Sequence, residues 1–218
     1  FRSQYFLQGR ALKLVTAHKD LGVSVDTSLR FHHHIRVVAA KAGGLANCLL
    51  RSTICRSREF MLSLYVSHIR PLIEYASCVW NTGYCGDCRL LESVQRRWTK
   101  NIDGLSDMDY GSRLRSLDLF SVKGRLLRAD LIKYWKILHG ESEDLLNMFL
   151  LAPRVGTRGH LLKLVPPPRF SDARSRSFSV RCVGVWNGLP AGVVQLTDIT
   201  HFKQALAGQM YDEFLDFD

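Results

Sequence analysis

Apolar residues recur at two different periods along this chain, and the change of period divides it. Over the first thirty residues they alternate: Tyr5 and Leu7 precede a Gln8-Gly9 turn signal, Leu12 and Leu14 follow it, and Val23 and Val25 follow Gly22. Alternation puts successive side chains on opposite faces of an extended backbone, so the pattern predicts a hairpin and one further short strand. From Phe31 the spacing becomes three and four. Ile35, Val38, Ala39, Ala42, Leu45, Ala46 and Leu49 then share one face of a helix. Ser57 is placed to cap a second helix, with Glu59 in its first turn. Its predicted buried stripe is Met61, Leu64, Tyr65, His68, Leu72, Tyr75 and Val79, with a kink at Pro71.

A turn over 81–86 leads to a third helix, for which Asp87 is the expected cap. Leu90, Leu91, Val94, Trp98 and Ile102 face inward there, while Arg89, Arg96, Arg97 and Lys100 lie outward. A short helix follows over 110–117. Ser121 then caps a longer helix to His139, with Leu127, Leu131, Tyr134 and Leu138 on one stripe and Gly140 at the end, where left-handed geometry is needed. After a short helix over 143–150 the composition changes at Pro153. Residues 178–186 read as a short strand or helix, 187–190 as a turn, and Asp198 caps a last helix through His201, Phe202, Leu206 and Tyr211. The expected architecture is mainly α: a short amino-terminal hairpin region over 1–30, a helical bundle over 31–152, and a basic carboxy-terminal extension over 153–218.

Charge changes the picture from a generic helical protein to one that attracts polyanions. Thirty Lys and Arg against twenty Asp and Glu leave a net charge of +10 over 218 residues. The excess is concentrated: between Arg154 and Arg181 stand Arg154, Arg158, Lys163, Arg169, Arg174, Arg176 and Arg181 against one acid, Asp172, around a Pro166-Pro167-Pro168 run. Such a stretch is costly to hold together without a polyanion nearby, so nucleic acid is the expected partner. No run of about eighteen apolar residues is present to span a membrane, and the opening residues are not those of a signal peptide. Six irregularly spaced cysteines do not make a disulfide scaffold, which points to an intracellular setting, nucleus or cytoplasm. The first methionine is Met61, so the expectation is an excerpt of a longer chain.

Catalytic signatures are sparse. The glycines that shape a nucleophile elbow, a P-loop or a dinucleotide fingerprint are absent. Cys85-x-x-Cys88 has zinc-like spacing, but no second pair follows, and the two read as incidental loop cysteines. His32, His33 and His34 are consecutive and diverge on a helix. Asp107 and Asp109 read as a polar turn rather than a metal pair, and Trp135 and Trp186 as core rather than base-stacking platforms.

Several strings carry a resemblance: KDLGV from Lys19, RPLIEYASCVWN from Arg70, LESVQRR from Leu91, DLIKYWKILHG from Asp130, and RCVGVWNGLP from Arg181, together with Thr157 to His160, Phe178-Ser179 and Phe202-Lys203. In this order and spacing they resemble the region downstream of the polymerase active site in reverse transcriptases of non-LTR, LINE-type retrotransposons. The resemblance implies that residues 1–30 correspond to the end of the palm and the strands that grip the primer. It implies a helical thumb over 31–152 and a carboxy-terminal extension beyond.

A thumb of this kind does no chemistry and tracks template and primer backbone, so the expected partners are RNA template, RNA–DNA hybrid, and the palm and fingers of the parent polymerase. Charge and placement nominate Arg96, Arg97, Lys100, Arg154, Arg158, Lys163, Arg169, Arg174 and Arg176 as contacts. The family's Tyr-x-Asp-Asp motif is missing, so no cofactor is expected in this chain, its magnesium ions belonging to the absent palm. Polymerisation by the chain alone is not expected. The alternatives are an inactive retroelement relic and a helical module reused for protein interaction, for which a large apolar patch near the first strands is the sign.

Overall fold

In the computed structural model, which describes residues 4–140, 143–153, 159–166, 168 and 171–217, the chain opens with two separate antiparallel hairpins. β1 (Phe6–Leu7) pairs with β2 (Arg10–Ala11), and β3 (Ala17–Asp20) pairs with β4 (Val23–Asp26). Both turns take two residues at positive φ, Gln8-Gly9 and Leu21-Gly22. That geometry matches the natural twist of the flanking strands. The alternation in sequence announces one hairpin and a strand. The partner of β4 escapes it because Ala17, His18, Lys19 and Asp20 carry no apolar alternation at all.

The rest is helical. α1 (His32–Ser52) buries Ile35, Ala39, Ala42 and Ala46, as their spacing predicts. The second predicted helix is not one helix. α2 (Arg58–Leu64) runs into a wide π-type turn over Tyr65–Ile69, then α3 (Arg70–Glu74) and α4 (Ser77–Trp80). Its buried side chains are Met61, Tyr65, Ile69, Ile73 and Trp80, whereas Leu72, Tyr75 and Val79 of the expected stripe are exposed. The cause is geometric. Residues four apart on an ordinary helix overshoot a full turn by roughly 40°, and the wide turn takes that drift back. Pro71 follows immediately, within the first turn of α3, where its missing N–H leaves no bond unmade.

α5 (Cys85–Lys100) starts at Tyr84, earlier than an Asp87 cap would place it, so Asp87 lies in its first turn. α6 (Tyr110–Leu117) is capped by Asp109, and α7 (Val122–Leu138) by Ser121, whose hydroxyl accepts from the Gly124 N–H. Gly140 has φ 89 just beyond α7. Short helices follow: α8 (Glu143–Leu146), α9 (Asp172–Ser175), α10 (Phe178–Arg181), α11 (Val183–Gly188) and α12 (Ala191–Val194). Asp198 caps α13 (Ile199–Gln209), and α14 (Tyr211–Leu215) closes the order.

Two apolar cores result, and α7 serves both. The first gathers α1 to α6 with Val122 and Leu126 around Trp80 and Trp98. The second gathers Leu131, Tyr134 and Trp135 of α7 with Trp186, Phe202, Leu206 and Phe214. Residues on either side of Pro153 therefore share one core. Trp135 and Trp186 are buried within it, Trp186 completely. Among the described residues no helix is long and apolar enough to cross a membrane.

Candidate nucleic-acid interface

α5 carries the first group of nominated residues. Leu91, Val94 and Trp98 bury one face, and the Trp98 indole donates to the Met61 carbonyl at 3.1 Å. That face also holds polar residues an apolar pattern does not reveal. Glu92, Gln95 and Thr99 are all buried. Tyr65 donates to Gln95 at 2.5 Å, Gln95 donates to Tyr110 at 3.0 Å, and Tyr110 donates to Glu92. Glu92 also accepts the Val122 N–H at 2.9 Å and the Lys123 N–H at 3.3 Å. A carboxylate at a helix start satisfies N–H groups that have no partner inside the helix. Burial raises the Glu92 carboxyl above its usual range, and these hydrogen bonds oppose the rise. The network locks the rotation of α5 against α6 and α7, and so fixes which side chains face outward.

Outward lie Arg89, Arg96, Arg97 and Lys100, all exposed. They are not equivalent. The Arg96 guanidinium sits over the rings of Tyr110 and Phe217, 4.6 and 5.3 Å from their centroids. It is a packing cation as much as a surface one. Arg97 instead lines a groove of about 290 Å³ between α5 and α1, with Arg36 also at its wall and Ala39, Ala40 and Gly43 along it. The α1 wall is built of these small residues, and Leu90, Ser93 and Val94 form the α5 wall. Arg36 was not nominated from sequence, although its place one residue after buried Ile35 on a well-marked helix fixes it as an outward neighbour of the α1–α5 seam.

The basic extension divides differently. Arg174 is exposed on α9. Arg176 is turned inward: it donates to Asp172 at 2.8 Å and to the Thr82 carbonyl at 3.1 Å, and stacks 4.0 Å from the centroid of Tyr84. Lys163 is half-buried, and its carbonyl accepts the Ala152 N–H at 2.8 Å. Arg181 meets Asp130 through two hydrogen bonds, at 2.8 and 2.7 Å. Arg154, Arg158 and Arg169 lie outside the described residues. Because Tyr84 precedes α5, the Arg174–Arg176 pair stands at the amino end of that helix and Arg97 and Lys100 at its carboxyl end. The sixteen residues of α5 span roughly 24 Å, about seven phosphate spacings of one duplex strand.

The other candidates disperse. His32 bonds Asp87 at 2.6 Å, His33 is exposed, and His34 is buried with its Nδ1 accepting the Ser24 N–H at 3.3 Å. Cys85 is exposed and Cys88 half-buried in the first turns of α5. Among the described residues no three His, Cys, Asp or Glu side chains are grouped to hold one ion. Asp109 is occupied as the cap of α6, and the Ser112 hydrogen bonds hold its carboxyl below the usual range.

The chain is similar to an uncharacterized protein of Caenorhabditis elegans, B0403.1, with 27% identity over 125 residues. The matched segment is 56% of this chain and 63% of that relative, so the chain spans less than two thirds of the relative's length. No family model matches the chain. No solved structure matches it either.

Proposed function

We propose that the chain is the segment of a non-LTR reverse transcriptase downstream of the polymerase centre, and that it binds RNA template and RNA–DNA hybrid through the phosphate backbone. The observation that carries this reading is the α1–α5 groove, with Arg36 and Arg97 at its walls and Lys100 one helical turn beyond Arg97. Guanidinium groups flanking a groove suit phosphate oxygens, since they donate in pairs, and on the α1 side the wall between them is built of the small residues Ala39, Ala40 and Gly43. The buried network under α5 supports the same reading, because contacts that follow a rigid duplex need a rigid base. The sequence strings quoted above supply the family, and the missing aspartate motif leaves the chain no polymerising step of its own.

The test is binding of a labelled RNA–DNA hybrid, followed by anisotropy at two salt concentrations. About four phosphate contacts predict a fall in affinity of roughly a hundredfold between 50 and 200 mM salt. Arg97→Ala should weaken binding across all sequences and lower the salt slope by about one. Arg96→Ala should act chiefly on stability, through the lost stacking on Tyr110 and Phe217. A folded chain whose binding is absent or indifferent to salt ends this reading.

A second reading has its own observation. Tyr5, Phe6, Leu7 and Leu14 are 70, 62, 64 and 74% exposed on or beside the first hairpin. Side chains of this kind on an isolated hairpin suit a protein partner, either the parent polymerase's palm or another chain. Association through them would be insensitive to salt.

A further inference from the structure

An apolar hollow lined from both halves of the chain has no part in the reading above. It is a cavity of about 440 Å³ where the chain before α1, α4, α7, α8 and the α9–α10 region meet. Leu29, Val79, Leu145, Met148 and Phe178 line it, and Lys133 stands among them. Three of these apolar side chains are left substantially open: Leu29 at 50%, Val79 at 57% and Met148 at 44%. Lys133 is half-buried and has no hydrogen-bond or ion-pair partner among the described residues. The other cation at the wall, Arg176, is already held by Asp172 and the Thr82 carbonyl.

We infer that this cavity is a binding site for a small amphipathic anion, whose apolar body lies against Val79, Met148 and Phe178 and whose carboxylate meets the Lys133 ammonium. Its size falls within the roughly 300–1,000 Å³ of small-molecule sites, and apolar walls with a few well-placed polar groups are their usual make-up. A neutral apolar ligand would leave the ammonium unused. An anion with no apolar body would leave the walls wet. Cys78 also lines the cavity, but burial and the neighbouring Asp130 push its thiol up to about 11, so it stays protonated and the association is non-covalent.

The experiment uses the full chain and an anilinonaphthalene sulfonate dye, itself an aromatic amphipathic anion, displaced by decanoate or by decanol. Decanoate should displace the dye about tenfold better than decanol, the worth of one charge-assisted hydrogen bond. Lys133→Met should remove that preference and leave decanol unchanged. Val79→Trp, or Met148→Trp where the first variant lowers the unfolding midpoint, should fill the cavity and block both at unchanged far-ultraviolet dichroism. Equal displacement by decanoate and decanol overturns the assignment, as does dye binding that survives in a folded cavity-filling variant.

Discussion

Asp130 is fully buried on α7 and accepts both Arg181 hydrogen bonds, while Arg181 also donates to the Cys78 carbonyl at 3.0 Å. One side-chain pair thus joins α7, α10 and α4. Removing one member of a buried pair leaves an uncompensated charge, which costs about 3–5 kcal/mol, whereas replacing both by apolar residues of similar size is often nearly neutral. Asp130→Ala should therefore lower stability by that amount in urea titration, and Asp130→Leu with Arg181→Met should recover most of it. His34 gives the pH dependence. Burial, then the charges of His33 and Lys19, hold its imidazole below the usual range, and its Nδ1 must stay unprotonated to accept from Ser24. His160, buried against Trp186, is lowered for the same first reason. A lowered histidine binds fewer protons folded than unfolded, so its stability is full above about pH 6.5 and is lost on acidification below it. Urea midpoints should fall between pH 7 and 5, and His34→Phe should flatten that slope by its share.

Among the elements, α7 and α14 come into backbone contact at Gly124. A Cβ on Gly124 would stand 2.2 Å from the Phe214 carbonyl oxygen and 2.5 Å from its Cα. Ser121 fastens the same place: its N–H donates to Phe214 at 2.9 Å and its hydroxyl to the Asp216 carbonyl at 2.6 Å. Backbone cannot step aside as a side chain can, so Gly124→Ala should destabilise by about 3 kcal/mol, the upper range for overpacking, in chemical denaturation. Gly124 illustrates what a sequence leaves hidden. A glycine three residues after a capping serine looks like a helix weakness, and only the return of the distant carboxy terminus gives it a purpose. The long helices were legible because period and caps agree: Ser121 and Gly140 bound α7, and Asp198 bounds α13. The 57–80 segment was not, because a wide turn at 65–69 and a left-handed Ala76 at φ 53 reset the face twice without a glycine to mark either. The candidate site was half legible. Exposure of Arg97 and Lys100 follows from helical spacing alone, but the stacking of Arg96 and the inward turn of Arg176 depend on aromatic partners far along the chain.

Across the whole molecule, burial is unevenly shared, and the first hairpin lies at the low end. Every residue from 4 to 22 is exposed, and the hydrogen bonds of β1 and β2 run to each other and to Leu12, whose N–H donates to Tyr5 at 2.8 Å. The second hairpin differs: Val23 is buried in the first core, and the Tyr75 hydroxyl donates to the Leu21 carbonyl at 2.9 Å. A lone two-stranded hairpin in water is marginal at best, so β1 and β2 add almost nothing to global stability. They do present Tyr5, Phe6, Leu7, Leu12, Leu14 and Val15, a set of apolar side chains that favours association. Removing residues 1–15 should consequently leave the urea midpoint unchanged within about 0.5 kcal/mol. The same truncation should reduce self-association measured by sedimentation, and leave the proposed salt-dependent hybrid binding intact, since Arg36, Arg97 and Lys100 sit on α1 and α5. A truncated chain that loses stability would mean that the hairpin packs where it is exposed here. One that loses hybrid binding would place the proposed nucleic-acid contacts at the amino terminus instead of the α1–α5 groove.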